Sequence, residues 1–371
     1  MDPYLIFGSK RIAGINAIKA TYERRERTVK AHIFRRLHPT TIILGNSRSQ
    51  RGFDPSSKYW PKSFRPVVNA SLPGGTIYEI FRYAQHAQSS TNLKNIFITL
   101  EFEEFLQFSN PKSDARYQKR YRAMNKRLSL HEDGSKNDSG TIELIKDYGR
   151  SLFSLDAVTD SVITVASQDL PLSVNITDLG FNPLREERAK ILSKGQFYWF
   201  RRNLPIITAN LKGRSRNVLK NIDFQNTEAG YYFEKLLDLI SQHRLNAYFV
   251  IPPYHSKYLL IIDDLGLSES FFEWQAYVTR RINERKLQNQ ISLWNFSGFH
   301  QFNDEPIPAA HDRKTMMKWH VEPGHFRGAL GEKVIQRIFT KEVSDFGMLL
   351  KKETVRLQIQ TQRKALYDYS N

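Results

Sequence analysis

Three side chains in this 371-residue sequence are set up to act on one another: Ser47, Glu322 and His325. Ser47 lies in Gly45-Asn46-Ser47-Arg48, directly after the largely β-branched run Thr41-Ile42-Ile43-Leu44. A buried strand that stops at such a turn puts the hydroxyl at its carboxyl end, where open α/β sheets build their sites. A serine hydroxyl is a weak nucleophile until a base takes its proton. The usual base is a histidine oriented by a carboxylate. Glu322-Pro323-Gly324-His325 supplies both across a Pro-Gly turn. Folded back, the carboxylate holds one ring nitrogen and leaves the other to face Ser47. No other acid and histidine pair so closely at a turn before a helix.

Three further residues are candidates for substrate contact. Arg48 either binds a substrate carboxylate or forms a structural ion pair with a nearby acid. His255 follows Pro252-Pro253 at a strand end, either touching substrate or serving as a hydrogen-bonded loop histidine. Glu101 ends the apolar run Asn95–Leu100. His311 and His320 precede His325, but the helical HExxH spacing of a zinc site is absent, and we read no metal here.

The elements that must position these groups follow from apolar periodicity. Short strands are expected at Thr41–Leu44, Pro66–Asn69, Asn95–Leu100, Asn246–Ile251 and Ile291–Phe296. Helices are expected at Thr76–Gln88, Glu228–Arg244, Phe271–Lys286 and Arg327–Phe339. Ser47–Ser63 reads as a loop. Strands alternating with helical crossovers predict a mainly parallel five-stranded sheet in a three-layer α/β/α arrangement. Its loops, with Ser47, Ser71, Gly74, Glu101, His255 and Ser297–His300, gather at one edge. Residues 10–38 read as a basic amphipathic helix, either packed on the domain or lying on a membrane surface. This divides the chain into a basic helical segment at 1–40, an α/β domain at 41–340 and a charged helical tail at 341–371. Within the domain, an insertion is expected at about 106–225: residues 110–141 part helix and part loop, 142–166 helical, and 170–225 without a clear pattern.

Lys and Arg outnumber Asp and Glu 55 to 38, giving a net charge of +17. The balance suits an anionic partner (nucleic acid, phospholipid head groups or acidic polysaccharide) or a plain basic surface. Nucleic acid rests only on this charge and on Phe197-Tyr198-Trp199-Phe200-Arg201-Arg202, which reads more readily as a half-buried helix face. With no cysteine, disulfides, thiolate metal sites and a cysteine nucleophile are excluded. No stretch approaches the roughly 20 apolar residues of a membrane helix, and Met1-Asp2-Pro3-Tyr4 does not open a signal peptide. The chain is expected to be soluble as given, and membrane-associated if an N-terminal anchor precedes it.

Taken in order, Gly45–Arg48, Asn69–Gly75 and Glu322–His325 resemble the blocks of the SGNH (GDSL-like) hydrolase superfamily. The chain is especially similar to bacterial membrane-associated SGNH-like proteins of cell-surface polysaccharide O-acetylation. Those share the Gly-x-Ser-Arg block and a His-Phe followed by a Gly-containing helix, as at His325-Phe326 and Gly331. The resemblance covers both ends and the strand order, about half of the chain, and residues 106–225 add little to it. It implies Ser47 as nucleophile, His325 as base and Glu322 as the acid that orients the base. Backbone N–H groups of Ser47 and of Ser71 or Gly74 would hold the oxyanion. It implies no cofactor. The substrate would be an acylated carbohydrate or another ester, with an anionic glycan, a membrane surface or a membrane-bound acyl donor protein as partners. The location would be the bacterial cell envelope.

Asn46 and Glu322 stand where that superfamily has Asp. Its third block supplies an oxyanion Asn, but Thr99-Leu100-Glu101-Phe102-Glu103 contains none. A carboxylate there opposes catalysis unless turned away or neutralised, and losing one donor typically slows the reaction about 10²–10³-fold. Two expectations follow: a serine esterase or O-acyltransferase, or a catalytically weak or inactive module that binds anionic glycan or assembles an envelope complex.

Overall fold

In a computed structural model of the protein, residues 1–106, 115–215, 222–285, 291–340, 342 and 344–370 are described. Helix α1 (Glu26–Leu37) leads into β1 (Thr41–Leu44), and α2 (Ser47–Gly52) begins after an intervening two residues. Next come β2 (Val67–Asn69), α3 (Ile77–Ser90), β3 (Asn95–Thr99) and the single turn α4 (Phe102–Phe105). Five helices separate this part from the rest: α5 (Ala115–Asn125), α6 (Ser139–Phe153), α7 (Leu155–Ala166), α8 (Arg185–Lys194) and α9 (Gln196–Ser215). Then follow α10 (Glu228–Gln242), β4 (Asn246–Ile251), α11 (Ser256–Asp264), α12 (Ser268–Glu284) and β5 (Ile291–Asn295). The chain closes with β6 (His320–Glu322), β7 (His325–Phe326), α13 (Gly328–Phe339), β8 (Met348–Leu349) and α14 (Val355–Ser370).

Strands β1 to β5 are parallel in the order 2-1-3-4-5, and β8 pairs antiparallel with β5. The sheet therefore has six strands, not five. At two residues, β8 is too short to show alternation. β6 and β7 form a separate two-stranded hairpin that the sequence reading did not contain.

Both faces of the sheet are covered, which is why its strands read as continuous apolar runs. Alternate residues serve opposite layers. Ile42, Ile96, Ile98 and Phe249 pack with α1, α3, α10 and α12, while Ile43, Phe97 and Val250 pack with Phe53, Trp60 and α13. The result is a three-layer α/β/α arrangement. Because β1, β3 and β4 run the same way, Ser47, Glu101 and Tyr254 emerge at one edge.

Several expected boundaries shift. Residues 10–38 are not one helix: a 3-10 turn at Tyr22–Arg25 precedes α1. Upstream, side chains take the backbone donors. Asp2 accepts N–H bonds from Ile6, Phe7 and Ser9, and Asn16 accepts that of Ile12. Ser47–Ser63 does not start as a loop, because Asn46 caps α2 through the Arg48 N–H. Residues 142–166 fall in two helices broken at Ser154, whose hydroxyl caps α7. The expected helix end at Lys286, the tail limits Lys341 and Asn371, and 107–114 and 216–221 of the insertion lie outside the described residues.

Candidate active site

The nucleophile candidate owes its place to close packing under the turn. A Cβ at Gly45 would lie 2.1 Å from Thr99 Oγ1 and 2.4 Å from Ser49 Oγ, so only glycine fits. The Ser49 and Thr99 hydroxyls share a buried hydrogen bond of 2.5 Å directly beneath. Ser47 then opens α2, half-buried, with its hydroxyl outward.

Across from it, β6 and β7 form the hairpin that carries the acid and the base. Ser47 Oγ lies 2.8 Å from His325 Nε2. His325 Nδ1 is hydrogen-bonded to Glu322 Oε1, and Glu322 Oε2 accepts the Gly324 N–H at 2.9 Å. Glu322, His325 and Ser47 thus stand in line, with both carboxylate oxygens occupied. The Glu322 bond puts a proton on Nδ1 and leaves Nε2 free to accept one from Ser47. Burial pushes the His325 pKa below its ordinary value, against the pull of Glu322, so the neutral ring is favoured. Burial alone would raise the Glu322 carboxyl, but His325, the Gly324 N–H and Arg48 hold it below the usual carboxylate range.

Arg48 is not a substrate contact. It is buried; its Nε donates to Gly324 O at 2.5 Å, and its Nη1 donates to Glu101 at 2.8 Å and to Glu103 at 2.9 Å. The guanidinium also lies 5.1 Å from the ring centres of both Tyr254 and Tyr258. Those tyrosines donate to the same carboxylates, Tyr254 to Glu101 at 2.6 Å and Tyr258 to Glu103 at 3.0 Å. Burial disfavours the Arg48 charge, yet the two glutamates hold its pKa well above the ordinary value. This network ties the residue after Ser47 to the turn before His325.

Glu101 is likewise not a substrate contact. It is 2% exposed and turned into the Arg48–Tyr254 network. Burial raises its pKa to about 7 despite Arg48, whereas Arg48 and Arg214 outweigh burial at Glu103 and bring it to about 2. Of the pair, Glu103 carries the settled negative charge beneath the site.

The Ser71 N–H, expected as an oxyanion donor, is already taken. It donates to Asn69 Oδ1 at 3.0 Å, the Ser71 hydroxyl reaches Ile43 O at 3.4 Å, and the residue is buried. Gly74 remains: it is exposed, and Arg120 donates to its carbonyl at 2.7 Å. Among the described residues the N–H groups of Ser47 and Gly74 meet no acceptor. Gly75, its neighbour, packs against Gly45 O and seats that turn beside the end of β1.

His255 is structural as well. Its Nδ1 accepts the Lys257 N–H and its Nε2 donates to Glu305 O at 2.9 Å. It is buried against Phe200 and His320. His320 is buried too, while His311 is exposed in a loop. Among the described residues, no three His, Cys, Asp or Glu side chains group as metal ligands.

Sequence reasoning missed the support beneath these groups. Glu103, Tyr254 and Tyr258 complete the Arg48 network; the i,i+4 tyrosines were its one visible signal. α9 forms a wall of the site: Gln196 Nε2 donates to Val321 O at 2.7 Å, and Ile207 packs beside Gly324. Arg51, one turn after Ser47, has a buried Nε that meets no partner among the described residues, and its charge helps keep His325 neutral.

The chain matches no protein-family model, and it matches no curated protein.

Proposed function

We propose that this chain is an SGNH-type serine esterase or O-acyltransferase, with acetyl as the acyl group, acting on an ester of a cell-envelope polysaccharide. One observation carries the reading: Ser47 Oγ, the His325 ring and the Glu322 carboxylate stand in hydrogen-bonded line. The parallel order 2-1-3-4-5 is that of flavodoxin-like sheets and agrees with it.

The reaction runs as acyl transfer. Ser47 Oγ attacks the ester carbonyl as His325 Nε2 takes its proton. Glu322 steadies the imidazolium. The oxyanion lies toward the Ser47 and Gly74 N–H groups. Collapse breaks the ester C–O bond, and His325 returns the proton to the leaving alkoxide. Water or a sugar hydroxyl then gives its proton to His325 Nε2 and attacks the acyl-Ser47 carbonyl; collapse breaks the C–Oγ bond, His325 returns the proton to Ser47 Oγ, and free acid or a new ester leaves. The net charge of +17 suits an anionic glycan, and the same proposal includes a cell-envelope location and a membrane-bound acyl donor protein as partner. No described helix is long and apolar enough to cross a membrane.

Hydrolysis of p-nitrophenyl acetate tests the reading. Ser47→Ala and His325→Ala are expected to lose at least about 10³-fold in kcat/KM; wild-type rates in both would reject it. A second reading, a weak or inactive glycan-binding module, rests on the absent third-block Asn, which leaves two backbone donors. Glycan binding that survives Ser47→Ala, without labelling by a fluorophosphonate, would favour it.

A further inference from the structure

The Gly74 N–H can serve an oxyanion only if its peptide plane faces the right way. Leu72-Pro73-Gly74-Gly75 is a β-turn, closed by the Gly75 N–H on Leu72 O at 2.8 Å. Proline keeps φ negative at the second position, and Gly74 stands at φ +58° in the third. That combination is a type II turn. Both ends are fastened to the end of β1: the Leu72 N–H donates to Gly45 O at 3.0 Å, and Gly75 packs against the same oxygen. The central peptide, Pro73 C=O with Gly74 N–H, lies between these ties. Turning it over converts type II to type I and swings the Gly74 N–H to the opposite face of the turn.

Two arginines hold this peptide and the next. Arg27 on α1 donates from Nη2 to Pro73 O at 3.0 Å, and Arg120 on α5 donates from Nη2 to Gly74 O at 2.7 Å. One carboxylate joins them. Glu79 on α3 is buried; its Oε1 accepts Arg27 Nε at 2.9 Å and Arg120 Nε at 2.7 Å, and its Oε2 accepts Arg120 Nη2. Glu79 is itself fixed, because its Oε2 also accepts the Thr76 N–H at 3.2 Å in the capping box that starts α3. A trans peptide holds its C=O and N–H on opposite sides. With Pro73 O drawn to Arg27, the Gly74 N–H faces away from that arginine, and it meets no acceptor among the described residues. Two guanidiniums against one carboxylate leave net positive charge behind the turn, which favours an anion in front of it.

We propose that Arg27, Glu79 and Arg120 form a clamp that locks the Pro73–Gly74 peptide with its N–H toward the acyl oxygen. They are positioning residues for the second oxyanion donor, and α5 gives the helical insertion a part in the site. The clamp rests on the serine acyl-transfer reading of Ser47. The test uses the full chain and p-nitrophenyl acetate, with Ser47→Ala alongside. Arg27→Gln and Arg120→Gln are each expected to lower kcat about tenfold to a hundredfold, short of the loss of a whole donor. KM and the pH midpoint set by His325 should stay, because neither ground-state binding nor the base is touched. Affinity for a boronic acid, which forms a tetrahedral adduct on Ser47, should fall by the same factor as kcat/KM. Gly74→Ala approaches the same peptide from the other side. Nothing lies within 4 Å of the added Cβ, so the fold is kept, but alanine disfavours φ +58° and the peptide turns over. This variant should lose kcat as the arginine variants do. Wild-type kcat in Gly74→Ala or in either arginine variant overturns the clamp, while loss of activity in Ser47→Ala upholds the acyl-transfer reading. A fall in kcat with boronic acid affinity unchanged also overturns the clamp. A wild-type rate in Ser47→Ala removes the acyl-transfer reading and the clamp together.

Discussion

Arg48 sets the geometry on which the serine–histidine pair depends. It reaches Gly324 O, next to His325, while anchored to Glu101 and Glu103. Lysine keeps the charge but cannot reach the carbonyl and both carboxylates together. Arg48→Lys should therefore lower kcat about 10²-fold with little change in KM, because a misplacement of an ångström at the reacting groups has that effect; a change in KM alone would place Arg48 in substrate binding instead. The pH profile tests His325 itself. The base works neutral, and burial holds its pKa below the ordinary 6.5. Esterase activity should hold its plateau to below pH 6.5 and fall as the ring protonates; a midpoint above that value would contradict the assignment. Ser47, Glu322 and His325 were readable because each declares itself locally, by a strand end or a turn. The role of Arg48 was not, since its partners lie 53, 55, 206 and 210 positions along the chain, and a Glu-rich third block suggested a defect where it supplies support.

Helix α2, six residues long, could not hold Ser47 in place alone. It is pressed between β7 and α13. A Cβ at Gly52 would strike the Phe326 ring, and one at Gly331 would come within 1.7 Å of Gly52 O. Gly331→Ala must push α13 and α2 apart, at a cost of about 1–3 kcal/mol for overpacking. It should also lower kcat, because Ser47 moves with α2. Urea unfolding and esterase assays on one preparation check both effects; an unchanged kcat would free the nucleophile from the helix contact. The same length scale explains what the sequence hid. Strands β1 to β5, three to six residues long, announce themselves as apolar runs, while β6, β7 and β8 have two or three residues each and no such run. α6 and α7 are amphipathic, but their apolar faces point outward, so periodicity could not say where they pack.

The helical region from α5 to α9 is joined to α1 and the N-terminal segment by buried polar contacts as well as by apolar ones. Asp147 accepts from His32 Nε2 on α1 at 2.8 Å and from Arg127 at 2.6 and 2.7 Å, with all three side chains largely buried. Asp160 accepts from Tyr4 at 2.6 Å, and Lys30 Nζ donates to Gly180 O at 2.9 Å. None of this is visible in composition, because a charged residue reads as surface until its partner is known. Asp147 is the sharpest case. Burial would raise its carboxyl, but His32 and Arg127 hold its pKa below the ordinary value. Its contribution is thus present above its unfolded pKa, about 3.9, and is lost as pH falls through the lower folded value. Asp147→Asn leaves the buried Arg127 without its counter-charge and should destabilise the protein by about 3–5 kcal/mol at pH 7. That gap should close once acid protonates the wild-type carboxyl. Urea midpoints for both proteins at pH 7, 5 and 3 measure it. A gap of constant size would show that the contact acts through shape rather than charge, and the helical region would then be held to α1 by packing alone.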